Sequence, residues 1–373
     1  MALSAGSETK SFLPAIGLIS EKQQRALRDM LGLLLPEGMS LPTTMESLHK
    51  VTQDYLIRPR EIKGEFKPGL LKDNWVRVIE GPKGERSGCQ DAEKLQALRG
   101  AIEEYAKIFG FYDPLAVADG MTLKGVRVLS TGAMYARVCL RMRCAQALID
   151  QGVVENGQIY FSGSARELFD AEKAELADEG IVLSAATEAE MVKYVAKENG
   201  FLEENFVSAV AKINAPRATT EDEGRALAAD NAGAPILVVS NAPFARRQTL
   251  DIFKALLQDT KVVPVVIAIG DGCTPKTPLF TIIEELTYWV NTAKAIIEWT
   301  QANQPELREQ VSLAMADIMN MGKPGYVFQS EAYQKAFSEG MPITERPVMP
   351  VDISIWRHLG GKLAEVVEPV SVR

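Results

Sequence analysis

Two adjacent arginines, Arg246 and Arg247, follow a short branched apolar run, Ile236 to Val239, by way of Ser240-Asn-Ala-Pro-Phe-Ala245. The run is long enough for a buried strand and too short for a helix. Ser240 and Asn241 can cap a helix, and Pro243 suits a first helical turn, where its missing N–H would be unpaired anyway. Leu250, Ile252, Phe253, Leu256 and Leu257 then continue as an apolar stripe at helical spacing. The arginines therefore fall at the positive end of a helix, where an exposed cation costs about 0.3–1 kcal/mol. A bound anion reverses that sign, because free N–H groups and guanidinium forks both favour carboxylate or phosphate. The competing reading is a solvated pair bridging to Asp251 or another surface carboxylate, a contact worth under about 1 kcal/mol.

The other candidates lie where strands end or helices begin. Gly132 and the turn Ser162-Gly163-Ser164 follow expected strands, where a backbone without Cβ can come close to a ligand. Thr187-Glu188-Ala-Glu190 and Thr220-Glu-Asp-Glu223 each fit a capping box, as does Ser164 with Glu167. Glu188, Thr220 and Glu223 thus have a structural role open to them beside a ligand role. For a reaction needing a base, Glu223 or Glu188 is the acid to nominate. Gly270-Asp-Gly272 reads as a plain loop. The two histidines, His49 and His358, are far apart, so a histidine triad or multi-histidine metal centre is not expected. The four cysteines (Cys89, Cys139, Cys144, Cys273) show no metal-binding spacing and read as free thiols.

The elements that must position these residues change in kind along the chain. Ser20 to Leu35 predicts a helix with Ser20 as cap and Gln23 completing the box. A second helix is expected within residues 40–58, a short strand at Trp75–Ile79 and a helix from Asp91 to Phe109. From Lys124 strands and helices alternate, the pattern of a parallel sheet covered on both faces. Strands are expected at Val126–Ser130, Gln158–Ser162, Phe206–Val210, Ile236–Val239 and Val262–Ile269. Met134–Asp150 is the first covering helix. Residues 280–302 read as one or two apolar helices, followed by a helix to about Met319 and a loop-rich tail. The division is then a mainly helical N-terminal extension (1–118), a Rossmann-like domain (119–275) and a helical, loop-rich C-terminal section packed on it (276–373).

Composition bounds the partners. The 373 residues are 46% hydrophobic and 24% charged with a net charge of −8, the balance of a soluble globular protein. That charge and a pI near 5.2 argue against nucleic acid, whose backbone needs a basic face. The longest apolar runs are too short to span a membrane, and no signal peptide is evident, so a cytoplasmic location is expected.

The order of motifs resembles the SanA/YdcF/ElyC-like family. Val128-Leu-Ser-Thr-Gly132 resembles its first strand and small-residue turn. Phe161-Ser-Gly-Ser164 resembles its Ser-Gly turn, and Glu188-Ala189 its Glu-Ala helix start. Thr219-Thr-Glu-Asp-Glu-Gly224 and Val238-Val-Ser-Asn-Ala-Pro-Phe-Ala-Arg-Arg247 resemble the last two signatures. The similarity covers roughly residues 124–270. Glu223 stands where the family has Asn. Phe244 stands where many members have His before the arginines, and that points to the YdcF branch. The resemblance implies a Rossmann-type fold and binding of S-adenosylmethionine, or a similar nucleotide-like anionic molecule, with the reaction open. In this reading Arg246 and Arg247 hold a carboxylate or phosphate, and Glu188 accepts ribose hydroxyls. Gly132, Ser162, Gly163 and Ser164 offer backbone and hydroxyl contacts, with Thr220, Glu223 and Asn241 close by. Two alternatives stand beside it: a hydrolase or transferase acting on a phosphorylated envelope precursor, and a non-catalytic interaction protein that recruits partners through the extension.

Overall fold

The computed structural model describes residues 20–35, 38–56, 60–62, 65–67, 92–113, 115, 123–155, 158–212, 217–228, 233–274, 277, 279–323 and 326–338. The expected strand at Trp75–Ile79, Cys89, His358 and the tail from residue 339 onward lie outside the described residues. In chain order the helices are α1 (Glu21–Leu34), α2 (Met45–Val51), α3 (Ala92–Ile108), α4 (Tyr135–Asp150), α5 (Asp170–Asp178), α6 (Glu188–Glu198), α7 (Thr220–Ala228), α8 (Ala245–Thr260), α9 (Leu279–Asn303), α10 (Arg308–Asn320) and α11 (Glu331–Ser338). The main sheet has strands β1 (Arg127–Ser130), β2 (Gln158–Ser164), β3 (Phe206–Ala209), β4 (Ile236–Val239) and β5 (Val266–Ile269).

The chain divides into two compact units: Met1–Asp113 with Gly272–Asn320, and Pro114–Asp271 with Met321–Arg373. In the first, α9 and α10 group with the N-terminal helices. α1 begins as its sequence dictates: Ser20 accepts from the Gln23 N–H, and the Gln23 side chain takes the Ser20 N–H in return. Its stripe of Leu27, Met30, Leu31 and Leu34 is buried, as are Leu98, Ile102 and Tyr105 of α3. The buried Gln23 amide also donates to Asn320 of α10 at 2.8 Å. The apolar stretch from 280 to 302 forms one unbroken helix, α9.

The second unit holds the parallel sheet, in the order β3-β2-β1-β4-β5. All four pairings are parallel, and Val128 sits between Ile159 and Leu237 in register. Every residue of β4 is buried, which explains a run of four branched apolar residues with no polar alternation. Tyr333 of α11 fastens β5: its hydroxyl accepts from the Val266 N–H and donates to the Val266 carbonyl. This is the α/β arrangement that the alternating pattern predicts. β5 is shorter than its apolar run, because residues 262–265 form the approach to it. β2 is longer than expected. Its ladder to β3 takes in Ser162, Gly163 and Ser164, so these are strand residues and not a turn.

No described helix is long and apolar enough to cross a membrane.

Candidate functional site

In a sheet of this order the connections run one way from β1 to β2 and β3, then cross back to β4 and β5. The carboxyl ends beside that reversal are where open α/β sheets take their ligands. Here the place is braced by a charged side chain from the first covering helix. Arg141 of α4 is 1% exposed. Its Nη1 donates to the Thr131 carbonyl at 2.9 Å, the Thr131 hydroxyl at 2.6 Å and the Gly132 carbonyl at 2.8 Å. Its Nε and Nη2 both donate to Asn241 Oδ1, at 3.2 and 2.6 Å. One guanidinium thus ties the loop after β1 to the loop after β4. Burial and the neighbouring Arg137 pull its pKa down to about 9, against Glu223, Asp271 and Glu188.

The peptide of Gly132 is gripped from both sides. Arg141 holds its carbonyl, and its N–H donates to Glu223 Oε1 at 3.1 Å. A Cβ added at Gly132 would lie 3.0 Å from Glu223 Oε1, 3.2 Å from the Ser162 carbonyl and 3.3 Å from Glu188 Oε1. Two carboxyls from the first turns of two different helices therefore converge on one bare backbone position. Glu188 is oriented by the strand beside it: Oε2 accepts from the Ser164 N–H at 3.2 Å and hydroxyl at 2.6 Å. Its Oε1 pairs with Arg166 at 3.0 Å, and the same guanidinium grips Glu172 at 2.7 and 2.8 Å. Gly163 lets this happen, since a Cβ there would meet the Ala189 Cα at 3.1 Å.

Glu223 has no such cation. It is 7% exposed, and its Oε2 is buried without a hydrogen-bond partner. Burial first, then the Glu188 charge, push its pKa up to about 8, opposed by the Gly132 N–H, Arg141 and the Ser162 hydroxyl. Such a group gains and loses a proton near neutral pH, the range in which a carboxyl can act as acid or base.

Glu223 is free to reach Gly132 because the expected capping box is displaced by one residue. Asp222 Oδ2, and not Glu223, takes the N–H and hydroxyl of Thr219, each at 2.8 Å. Thr220 turns inward and accepts from Gln248 Nε2 at 3.3 Å. The Ser164–Glu167 box does not form either: Ser164 is bound to Glu188, α5 starts only at Asp170, and Glu172 takes the Phe169 N–H. Thr187 does cap α6, accepting from the Glu190 N–H, while the Glu190 carboxylate goes to Ser184.

The arginine pair has partners inside the chain. Arg246 is 4% exposed and donates to the Met321 carbonyl at 3.0 Å. Arg247 pairs with Asp251 at 2.8 Å, the bridge that the sequence offers as the competing reading. α8 begins at Ala245, so Pro243 precedes the first turn, and neither Ser240 nor Asn241 caps it through a side chain. The Asn241 side chain serves Arg141, and the Ser240 hydroxyl goes to Gln248.

Of the residues singled out in the sequence, Gly132, Ser162, Ser164, Glu188 and Glu223 meet, and Asn241 joins them through Arg141. Sequence reasoning missed Arg141, Gln248 and Asp271. Arg141 carried a signal, being a charge at helical spacing from the inward-facing Val138, Ala145 and Leu148. Asp271, expected to be plain loop, accepts from the Ala242 N–H at 3.2 Å. Burial raises its pKa to about 6 against that bond and the Arg141 charge. Burial pushes the Cys144 thiol up to about 12 and also raises Cys139. No family model matches the chain, and neither does any curated relative.

Gly132→Ala should displace the Glu223 carboxylate by a few tenths of an ångström and cost about 1–3 kcal/mol. Urea denaturation checks this as a lower midpoint with an unchanged slope. A variant as stable as the natural chain would show the convergence to be loose.

Proposed function

We propose that the sheet unit binds a small nucleotide-like ligand, with S-adenosylmethionine the first candidate, at the carboxyl ends of β1, β2 and β4. The observation that carries this reading is the convergence of Glu188 and Glu223 on the bare backbone of Gly132, beside the reversal of strand order. Glu188 in that position is an acceptor for ribose hydroxyls, and a charge-assisted bond of this kind contributes about 1.5–3 kcal/mol. The resemblance to the SanA/YdcF/ElyC-like family supplies the name of the ligand. The ligand's anionic end is assigned to Arg246 and Arg247, each exchanging its present acceptor for the guest.

One observation favours a second reading. A buried carboxyl titrating near neutral pH is suited to moving a proton, as a hydrolase or transferase acting on a phosphorylated envelope precursor would require.

Calorimetry of the full chain with S-adenosylmethionine tests the first reading. Binding is expected, and Glu188→Gln should weaken it roughly ten- to a hundredfold, the equivalent of one charge-assisted bond. A thermal melt controls for loss of the Arg166 pair. Arg247→Ala should weaken binding too; unchanged affinity removes the arginine assignment and leaves the carboxyls. No heat with the natural chain discards this ligand.

A further inference from the structure

The two other acids of α7 each have a cation. Glu221 is held by Lys212 and Lys254, each at 2.9 Å, and by Arg225; Asp222 is held by Arg225 at 2.6 Å. On the facing elements Arg166 of the β2–α5 loop serves Glu172 and Glu188. Arg141 of α4 is near Glu223, but the hydrogen bonds it makes go to Thr131, Gly132 and Asn241. Glu223 is left with the Gly132 N–H on Oε1, the Ser162 hydroxyl beside the carboxyl, a neighbouring carboxyl at Glu188, and no hydrogen-bond partner on Oε2. Two carboxyls in one buried place do not both stay ionised when only one has a counter-ion. An orphaned buried polar atom also calls for a partner.

We propose that Glu223 meets the ligand as a hydrogen-bond donor, its Oε2 carrying the proton, so that the ligand atom seated there is an acceptor oxygen and not a cation. This rests on the ligand reading above and narrows it: Glu188 takes hydroxyl protons while Glu223 gives one, and the two carboxyls recognise opposite ends of a hydrogen-bonding pattern. The class that fits is an oxygen-rich ligand offering both kinds of group, such as a ribose hydroxyl beside a ring, carboxylate or phosphoryl oxygen.

The full chain and Glu223→Gln, which keeps a donor but cannot titrate, are compared in two measurements. Infrared spectroscopy with isotope-labelled glutamate should show a protonated carboxyl at pH 7 that disappears above pH 8 and is missing from the Gln variant. Calorimetry should show the natural chain binding S-adenosylmethionine about tenfold more weakly at pH 9 than at pH 7, because the competent fraction has fallen to roughly a tenth. The Gln variant should show no such loss, and a ligand amine titrating over the same range affects both proteins alike. Equal pH dependence in the two proteins overturns the proposal, as does a Glu223 carboxyl already ionised at pH 7. If the natural chain binds no S-adenosylmethionine at either pH, the ligand reading fails, and the infrared titration alone decides the proton.

Discussion

Arg141→Ala should destabilise the sheet unit by about 3–5 kcal/mol, the largest loss expected from any side chain at the site. The variant leaves the Thr131 and Gly132 carbonyls and Asn241 Oδ1 without their donor. A buried acceptor left unpaired costs about 1–3 kcal/mol, and the emptied volume adds to that. Against this stands the cost of keeping a cation out of water, which the variant no longer bears. The bonds outweigh it, because all five contacts of the fork fall between 2.6 and 3.2 Å, whereas Gln248, whose Oε1 also joins the two loops by accepting from the Thr131 and Ser240 hydroxyls, brings no charge to them. Lys has one charged point where Arg has a planar fork, so Arg141→Lys should recover only part of the loss. Urea denaturation of the Ala, Lys and Met variants separates the terms. If Arg141→Met, which fills the volume without a donor, is as stable as the natural chain, the fork returns no more than its burial costs and the brace is discarded.

The same residue shows what the sequence could and could not display. Periodicity placed α4 and the strands on either side of it to within a residue or two, because apolar spacing is a local property. Arg141 broke that spacing visibly, but its bridging role did not show: Thr131 and Gly132 lie ten and nine residues before it, while Asn241, on the other loop, is 100 residues away. The capping boxes failed for a related reason. Thr219-Thr220-Glu221-Asp222-Glu223 contains two overlapping boxes that differ by one residue, and local chemistry does not choose between them. The choice is made by Gly132, 91 residues upstream, which takes Glu223 and leaves Asp222 to the cap. Ser164 was likewise claimed by Glu188 before it could cap a helix. At Arg247 the bland reading needed only the i to i+4 spacing to Asp251, and that pair is present. The elements were therefore legible, and so were most members of the site. Which member pairs with which was settled by contacts across the sheet edge.

Stability against pH tests Glu223 without any ligand. Its folded pKa of about 8 stands above the ordinary 4.5, so the folded chain holds this proton more tightly than the unfolded one. The stabilisation that the proton gives is complete below pH 4.5 and drains away as pH rises toward 8, at about 1.4 kcal/mol per unit. Asp271, raised to about 6 by burial, loses stability in the same direction over the lower part of that range. A denaturation curve of the natural chain alone therefore mixes the two. The difference between Glu223→Gln and the natural chain removes Asp271, which both proteins share. At pH 5 the two should be within about 1 kcal/mol, since an amide can accept from the Gly132 N–H as a protonated carboxyl does. At pH 8 and above the Gln variant should be the more stable by about 3–5 kcal/mol, because it has no charge to bury beside Glu188. The sign is unusual for removal of an acid at a buried site, where losing a paired carboxylate destabilises most at high pH. If Glu223 is such a paired carboxylate, the Gln variant will fall further behind as pH rises, and the account of an unpaired, protonated group at Gly132 is wrong.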